Sequence, residues 1–560
     1  MSKITKNWKM KPVNTELYHQ FLQRGIPRQT AYLLAIKNIK HPQKFLTPMQ
    51  QKEFDPMLFK DMAKVVARIN QAAANHERVL VYGDYDTDGV TSSALMNAML
   101  DSLGIDHDCF LPTRADGYGP QMSTYQPLVE HAEKEGRPYT LWITVDNGIQ
   151  GKDEIEYLKQ HHIDCIVTDH HLVKEEKIPD AYAIIHPAMP DSGYPEAILS
   201  GAGVAYKVFE AVNYPVSQNY VDLAAIGIVG DVMDLTSENR IIVKHGLAKL
   251  QQGNGNLGIT SLIQTNPYAD LSTLTSTDLS FNVVPALNAC GRLKTPMLAY
   301  QLVTADNQAE AQELAKKLLD VNNQRKEISN NYSQMALTQV DPTNKCNIIR
   351  FPYGTLAGIA GLIANQVMSA TGKPTIVLVD HEDGINASGS ARSLEGLDLE
   401  NILEELKPNL VDFVAGHAQA CAVKVKLENL PYLQTALNER CHEVKPAPLQ
   451  IDCQVVPGQL AQFEKVAEQL EPFGKGNPEF EVLTQLKVGT FRHLGADGST
   501  IKMTDARYPE TEFMGFKNFK NIDFQPGDIV NVVGKVHLHI WKEHVNVQFI
   551  IDDFEVVNHA

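Results

Sequence analysis

The stretch VLVYGDYDTDGVTSSALM (residues 79–96) alternates three carboxylates, Asp84, Asp86 and Asp88, just after the apolar run Val79, Leu80, Val81. If the strand conformation continues past that run, side chains at i and i+2 share a face and the three acids converge. Carboxylates that close repel one another unless a cation lies between them. Aspartate oxygens suit Mg²⁺ and Mn²⁺, so the pattern reads as a divalent-metal site. The plainer reading is a solvated acidic turn. Against it, the carboxyl end of a buried strand is where ligands gather in α/β sheets. Gly89 allows a tight turn, and TSSALMNAML reads as the helix that follows.

Two later segments repeat the design. LWITVDNGI places Asp146 after an apolar run, and DCIVTDHH places Asp169, His170 and His171 after Cys165, Ile166 and Val167. A fourth carboxylate, Asp231, ends LAAIGIVGD, whether that run is strand or helix. Together these ends indicate one site assembled from several elements. Neutral imidazole beside carboxylates favours Mn²⁺, Fe²⁺ or Zn²⁺ over Ca²⁺. The absence of Cys among these candidate ligands argues against structural zinc. The ligands suffice for two ions sharing a bridging carboxylate, an arrangement that clamps in-line displacement at phosphorus and lowers the pKa of bound water. The chemistry is metal-dependent hydrolysis of a phosphoester or phosphoanhydride.

A chain of 560 residues has room for about three or four domains. Its 43% hydrophobic and 21% charged content is that of an ordinary globular protein. Seven scattered Cys without a CxxC imply reduced thiols rather than a disulfide framework. The start MSKITKNWKMKPVN lacks the apolar core of a signal peptide and no run approaches membrane-spanning length, so a cytoplasmic location is expected. The formal net charge of −17 weighs against non-specific coating of duplex nucleic acid but leaves room for a local basic groove.

These acids need elements to position them. Residues 1–60 form an N-terminal segment of helical stretches and Pro breaks. Beyond it, strand-like runs alternate with helical segments such as MAKVVARINQAAANH, which implies a parallel sheet with helices on its faces. AEAQELAKKLLDVNNQRKEISNNYSQMALTQV has helical apolar spacing and no Pro or Gly, and reads as a long linking helix. A second α/β unit follows from CNIIRF to about residue 430, with the strand PTIVLV. The last region offers short alternating strands such as GDIVNVVGKVHLHIW, an all-β module for which a strand-binding barrel is one option.

DYDTDG, VDNG and TDHH resemble the motifs of the DHH phosphoesterase superfamily. The likeness continues through PALNACGRL, ASGSARS, AGHAQACA and PFGKGNPEF, and in that order resembles the RecJ branch, the single-strand-specific 5′-to-3′ DNA exonucleases. The resemblance implies an α/β fold with a parallel-sheet DHH catalytic domain (61–300) and an α/β DHH-associated domain (345–440). A long helix (301–344) would join them, and an all-β OB-fold (450–557) would follow. It implies one Mn²⁺ or Mg²⁺ held by Asp84, Asp86 and Asp146. A second would be held by Asp88, Asp146, His170 and Asp231, with Asp146 bridging. Asp86, Asp88, His171 and Arg292 would carry catalysis, with His171 beside the scissile phosphate or the attacking water. Two details depart from the pattern. The family's Gly-Gly-His is Ala415-Gly416-His417, and the approach to the GIVA helix is FPYGTLAGIAGLIA.

Candidate substrate contacts, some implied by the resemblance and some read from the residues alone, each have a plainer alternative. Arg114 in LPTRADGYG is a phosphate clamp or an exposed surface Arg. Asn288 and Arg292 in NACGR meet a phosphate near the metals, cap a helix, or do both. Ser388, Ser390 and Arg392 form an anion pocket for the 5′ end, or an ordinary turn. His417 shares that end or is a packed residue, and Asn322 and Arg325 face the cleft or solvent. Phe473, Phe480 and Trp541 are stacking platforms or core, and Lys475 at the tip of PFGKGNP reaches a phosphate or belongs to a simple turn.

The expected function is a 5′-to-3′ single-stranded-DNA exonuclease releasing 5′-mononucleotides in recombination and repair. It would act as a monomer with a helicase and a single-strand-binding protein. The alternatives are a phosphodiesterase of cyclic dinucleotides or short oligonucleotides, and a non-catalytic replication or repair scaffold. Relatives acting on small substrates are typically shorter and lack the OB-fold, so the residues after about 450 favour a polymer.

Overall fold

The computed structural model describes every residue except 1–6, 118, 268, 445–446, 496–497, 517–518, 542–543 and 560, and leaves out the side chains of 538–545. The chain divides into two compact units. One comprises residues 47–329 with 472–477; the other comprises 1–46, 330–471 and 478–560.

The first unit is built on five parallel strands: Arg78–Tyr82 (β1), Asp106–Phe110 (β2), Leu141–Val145 (β3), Asp164–Thr168 (β4) and Ala183–Ile185 (β5). Their order is β2-β1-β3-β4-β5. Alternate residues serve opposite faces. Val79, Val81, Ile143 and Ile166 enter one apolar core, while Leu80, Tyr82, Trp142 and Val167 enter another. Burial on both faces is why the runs are continuously apolar rather than alternating. The winding reverses between β1 and β3, which makes the crevice beyond their carboxyl ends the natural ligand position. Helices Thr87–Ser102 (α1), Gly201–Ser217 (α2) and Val221–Gly230 (α3) pack on one another there, and Val284–Leu293 (α4) packs on α1 and α3.

Gln308–Thr338 (α5) is one continuous helix, as its spacing predicts, and runs from residues of the first unit into those of the second at residue 330. In the second unit, Asn347–Phe351 (β6), Thr375–Asp380 (β7), Asn386–Arg392 (β8), Phe413–His417 (β9) and Ala420–Lys426 (β10) form a sheet ordered β9-β10-β8-β7-β6. Only β6 and β7 are parallel in it, and Ala360–Thr371 (α6) packs on β7 and β8. The C-terminal module contains Val482–Leu494 (β11), Thr500–Asp505 (β12), Thr511–Gly515 (β13), Ile529–Trp541 (β14) and His544–Asn558 (β15). Because β11 pairs with both β12 and β14, the five strands close into a barrel of OB type.

The N-terminal strand Trp8–Met10 pairs in parallel with Leu449–Ile451. Trp8 Nε1 donates to Asp553 Oδ2 at 2.8 Å and Lys11 Nζ to Asp452 Oδ1 at 2.7 Å. A segment with no chemistry in its sequence therefore helps hold the barrel. The stacking role considered for Phe473 and Phe480 does not survive, because both rings are buried at 7% and 4% exposure. The Trp541 side chain lies outside the described residues.

Candidate metal centre

The acids converge, but not by strand alternation. Strand β1 ends at Tyr82, and Asp86 is the N-cap of α1 with Oδ1 accepting from Asp88 N at 3.0 Å and Gly89 N at 3.1 Å. Aspartate wins this position because its carboxylate satisfies amides left open at a helix start and meets the positive end of the dipole. Asp88 then lies in the first turn, and Asp84 in the connection from β1. Gly89 is required by close approach rather than by a turn, since a Cβ there would lie 2.6 Å from the Asp84 carbonyl oxygen.

Asp88 is held from across the unit. Its Oδ2 accepts from Gly201 N at 2.6 Å and its Oδ1 from Ala202 N at 2.9 Å, both at the start of α2, which Ser200 caps. Asp146 follows β3 with φ +60°, a conformation uncommon outside glycine. Asn147 Nδ2 donates to the Gly83 carbonyl at 2.9 Å and the Val145 carbonyl at 3.0 Å, lacing the ends of β1 and β3 together. Asp231 is the C-cap of the helix α3, which settles whether that run is strand or helix.

His170 Nε2 stands 3.0 Å from Asp146 Oδ1 and 3.7 Å from both Asp88 Oδ2 and Asp231 Oδ2. His171 Nδ1 is 2.8 Å from Asp169 Oδ1 and 4.0 Å from Asp146 Oδ1. Two overlapping groups result, Asp146 with His170 and His171, and Asp88 with His170 and Asp231, each with candidate ligand atoms within 4.8 Å. Asp84 and Asp86 stand outside these two groups but close enough to act electrostatically on Asp146.

The electrostatics fit a cation. Burial, then the neighbouring acids, push Asp84 up to about 7, Asp88 to about 6 and Asp231 to about 8, and Asp146 well above the usual carboxylate range. Burial and the charge of His171 lower His170 to about 3, leaving a neutral imidazole among carboxylate oxygens. Burial alone would lower His171, but its hydrogen bond to Asp169 and that residue's charge prevail and hold it at about 9. Acids whose ionisation is opposed by burial and by one another, with a neutral imidazole between them, are a donor set that a hard divalent ion would relieve.

Asp169, noted as one of the acids ending an apolar run but given no role as ligand or catalyst, organises both histidines. Its Oδ1 accepts from His170 N at 2.7 Å and His171 N at 3.0 Å, and its Oδ2 from Ile149 N at 2.9 Å. Burial would raise its carboxyl, but His171 and these bonds outweigh that and hold it well below the usual range. Asn147 and the Ser200–Ala202 helix start were also missed. The signals present were the Asn of VDNG and a Ser before small residues in SGAG.

Of the expected substrate residues, Arg114 is exposed with its guanidinium carbon 4.2 Å from the Tyr85 ring centroid. Asn288 Oδ1 accepts from Thr87 N at 2.9 Å, so it props the start of α1 rather than capping its own helix. Arg292 lies in the last turn of α4, and a Cβ on the adjacent Gly291 would meet the Tyr85 carbonyl at 2.4 Å, so only glycine permits that approach. Arg325 and Asn322 do not form an exposed polar face: Asn322 is buried, its Oδ1 accepts from Arg325 Nη2 at 2.6 Å, and burial lowers the Arg325 pKa.

In the other unit Ser388, Ser390 and Arg392 alternate along β8, a strand rather than a turn. Ser388 Oγ is 2.8 Å from His381 Nε2, and a Cβ on Gly361 near the start of α6 would lie 2.6 Å from Arg392 Nη2. Burial lowers the Arg392 pKa. His417 is exposed at the end of β9, and Gly416 before it has no room for a Cβ, which would lie 2.5 Å from the Ala420 carbonyl oxygen.

Comparison with known proteins adds to this geometry. The DHH family N-terminal domain matches residues 78–228, the DHHA1 domain 344–443 and the RecJ OB domain 451–553. The chain is 33% identical over 527 residues to the single-stranded-DNA-specific exonuclease RecJ of Bacillus subtilis, covering 91% of this chain but 65% of that protein's length. It is 32% identical over 471 residues to the protein of the same description from Escherichia coli, covering 77% of this chain and 80% of the relative. The crystal structure of RecJ in complex with Mn²⁺ from Thermus thermophilus shares the fold, with a TM-score of 0.80, 24% identity, and coverage of 98% of this chain and 78% of that one. A crystal structure of exonuclease RecJ bound to manganese aligns with a TM-score of 0.58 and 28% identity, over 69% of this chain and 96% of that one.

Proposed function

The chain belongs to the RecJ family of single-stranded-DNA-specific exonucleases, and on that premise we propose that it degrades single-stranded DNA in the 5′-to-3′ direction, releasing 5′-mononucleotides. The observation that carries the reading is the meeting of Asp88, Asp146, Asp231 and the neutral His170 beyond the sheet's reversal of winding.

Asp84, Asp86 and Asp146 would hold one ion and Asp88, Asp146, His170 and Asp231 a second, with Asp146 shared. Mn²⁺ or Mg²⁺ is the metal, in line with the manganese-bound relative. When bound, such ions supply Lewis-acid charge at phosphorus and a nucleophile at neutral pH. The chain's own residues do the rest. Asp169 fixes His171 through Nδ1, which leaves Nε2 to face the scissile phosphate and its departing 3′-oxygen. Arg292 and Arg114 bind phosphate oxygens as forked donors, and Arg325 lies farther along the strand. Ser388, Ser390, Arg392 and His417 receive the 5′ end. The barrel adds a surface for unpaired strands, as OB-folds do.

In the cell the enzyme acts in the cytoplasm, in recombination and repair, with a helicase and a single-strand-binding protein, as a monomer. No helix among the described residues is long and apolar enough to cross a membrane. The test offers the purified chain and Mn²⁺ three substrates: single-stranded DNA, the same sequence as blunt duplex, and a cyclic dinucleotide. Rapid loss of the single strand alone is expected. Preferred hydrolysis of the dinucleotide would move the chain to the small-substrate alternative, and silence on all three would favour a scaffold.

A further inference from the structure

The turn at residues 472–477 lies immediately before the barrel in sequence but belongs to the catalytic unit. It is fixed there by backbone oxygens. The Pro472 carbonyl accepts from Arg240 Nη1 at 3.2 Å, that of Phe473 from Ser276 Oγ at 2.6 Å and that of Lys475 from Leu235 N at 2.8 Å. Within the turn, Gly474 N donates to the Asn477 carbonyl at 2.9 Å, Asn477 N to the Gly474 carbonyl at 3.1 Å, and Asn477 Nδ2 to the Pro472 carbonyl at 2.8 Å. Two glycines let it sit down on the segment that begins with Asp231. A Cβ on Gly474 would lie 2.7 Å from Leu235 Cδ1, and Gly476, at φ +75°, already brings its Cβ position within 3.1 Å of Asp234 Cβ.

We propose that Lys475, at the tip of this turn, contacts a phosphate of the bound strand on the Asp231 side of the catalytic centre. Its side chain is 59% exposed and its ammonium is 3.6 Å from Asp234 Oδ1. Its charge also acts on Asp231, whose Oδ2 is 3.7 Å from His170 Nε2. A surface pair with Asp234 by itself contributes little. It gives no reason for a turn held by Arg240, Ser276 and Leu235 and shaped by two glycines to deliver a lysine beside a ring of acids. A phosphodiester laid on that ring does, because its oxygens accept from a compact, mobile ammonium. The inference rests on the polymer substrate proposed above.

The full chain and its Lys475→Ala and Lys475→Arg variants are assayed with Mn²⁺ for nucleotide release from a single-stranded oligonucleotide far below saturation, across a range of KCl. Lys475→Ala should lose about tenfold in kcat/KM, and the slope of log kcat/KM against log [KCl] should become shallower by about 0.7, one phosphate contact on a single strand. Lys475→Arg should restore both. An unchanged slope in Lys475→Ala, whatever its rate, overturns the inference, as does failure of the arginine to restore the slope. If the parent chain releases no nucleotide at all, the functional reading itself fails and the inference falls with it.

Discussion

Asp146 and its neighbours trade ionisation against burial, and that trade has a measurable sign. Asp84, Asp231 and His171 bind protons more tightly in the fold than in the unfolded chain, with values of about 7, 8 and 9. Between pH 6.5 and 8 the folded protein therefore holds more protons than the unfolded one, and stability falls as pH rises. His170, lowered to about 3, works the other way only below its unfolded value near 6.5. In chelator, Tm should decline from pH 6.5 to 8. With saturating Mn²⁺ it should rise over the same range, because the ion binds the deprotonated carboxylates. A chelated protein whose Tm climbs with pH would show that the acids do not share a desolvated site. Asp86→Ala should lower turnover by at least about 100-fold while retaining most DNA affinity, read by single-turnover kinetics beside a binding titration. Turnover near the parent rate would remove Asp86 from the machinery. The side chains of this site were legible because acids after apolar runs are a conspicuous pattern. Asp169 was harder to read, since a residue that acts by holding two histidines looks like one more acid.

At the scale of elements, the site depends on how closely the start of α2 approaches β3. A Cβ on Gly201 would lie 2.5 Å from Asp146 Oδ1, whereas one on Gly203 would meet nothing nearer than Leu199 Cβ at 3.4 Å, an ordinary contact. Gly201→Ala should displace Asp146 and weaken Mn²⁺ binding by about 10- to 100-fold, while Gly203→Ala, in the same helix, should leave it unchanged. Calorimetric titration of both variants makes the comparison, and equal affinities would show that the approach is not what places Asp146. The alternation of Asp84, Asp86 and Asp88 suggested a continuing strand. The N-cap bonds of Asp86 turn the chain into α1 instead, and local hydrogen bonding of an Asx side chain competes with strand extension without changing the sequence pattern. Asn288 shows the same limit. Its spacing suits a cap on its own helix, but its partner, Thr87, is 201 residues away.

Across the whole molecule, the alternation of runs and helical segments carried the parallel sheet, the unbroken α5 and the all-β end, because each follows from local periodicity. Two connections made over hundreds of residues had no such signature. The N-terminal strand pairs beside the barrel at Leu449–Ile451, and the turn 472–477 joins the catalytic unit. Both are set by tertiary packing. The central claim, that a metal-binding acid cluster makes this chain a 5′-to-3′ exonuclease of unpaired DNA, is tested most directly by one time course. Single-stranded DNA labelled at the 5′ end in one reaction and the 3′ end in another is followed with Mn²⁺, then with chelator. The account predicts early release of the 5′ label as mononucleotide, gradual shortening of the 3′-labelled strand, and arrest by chelator. Release of the 3′ label first, or cleavage that continues in chelator, would contradict it.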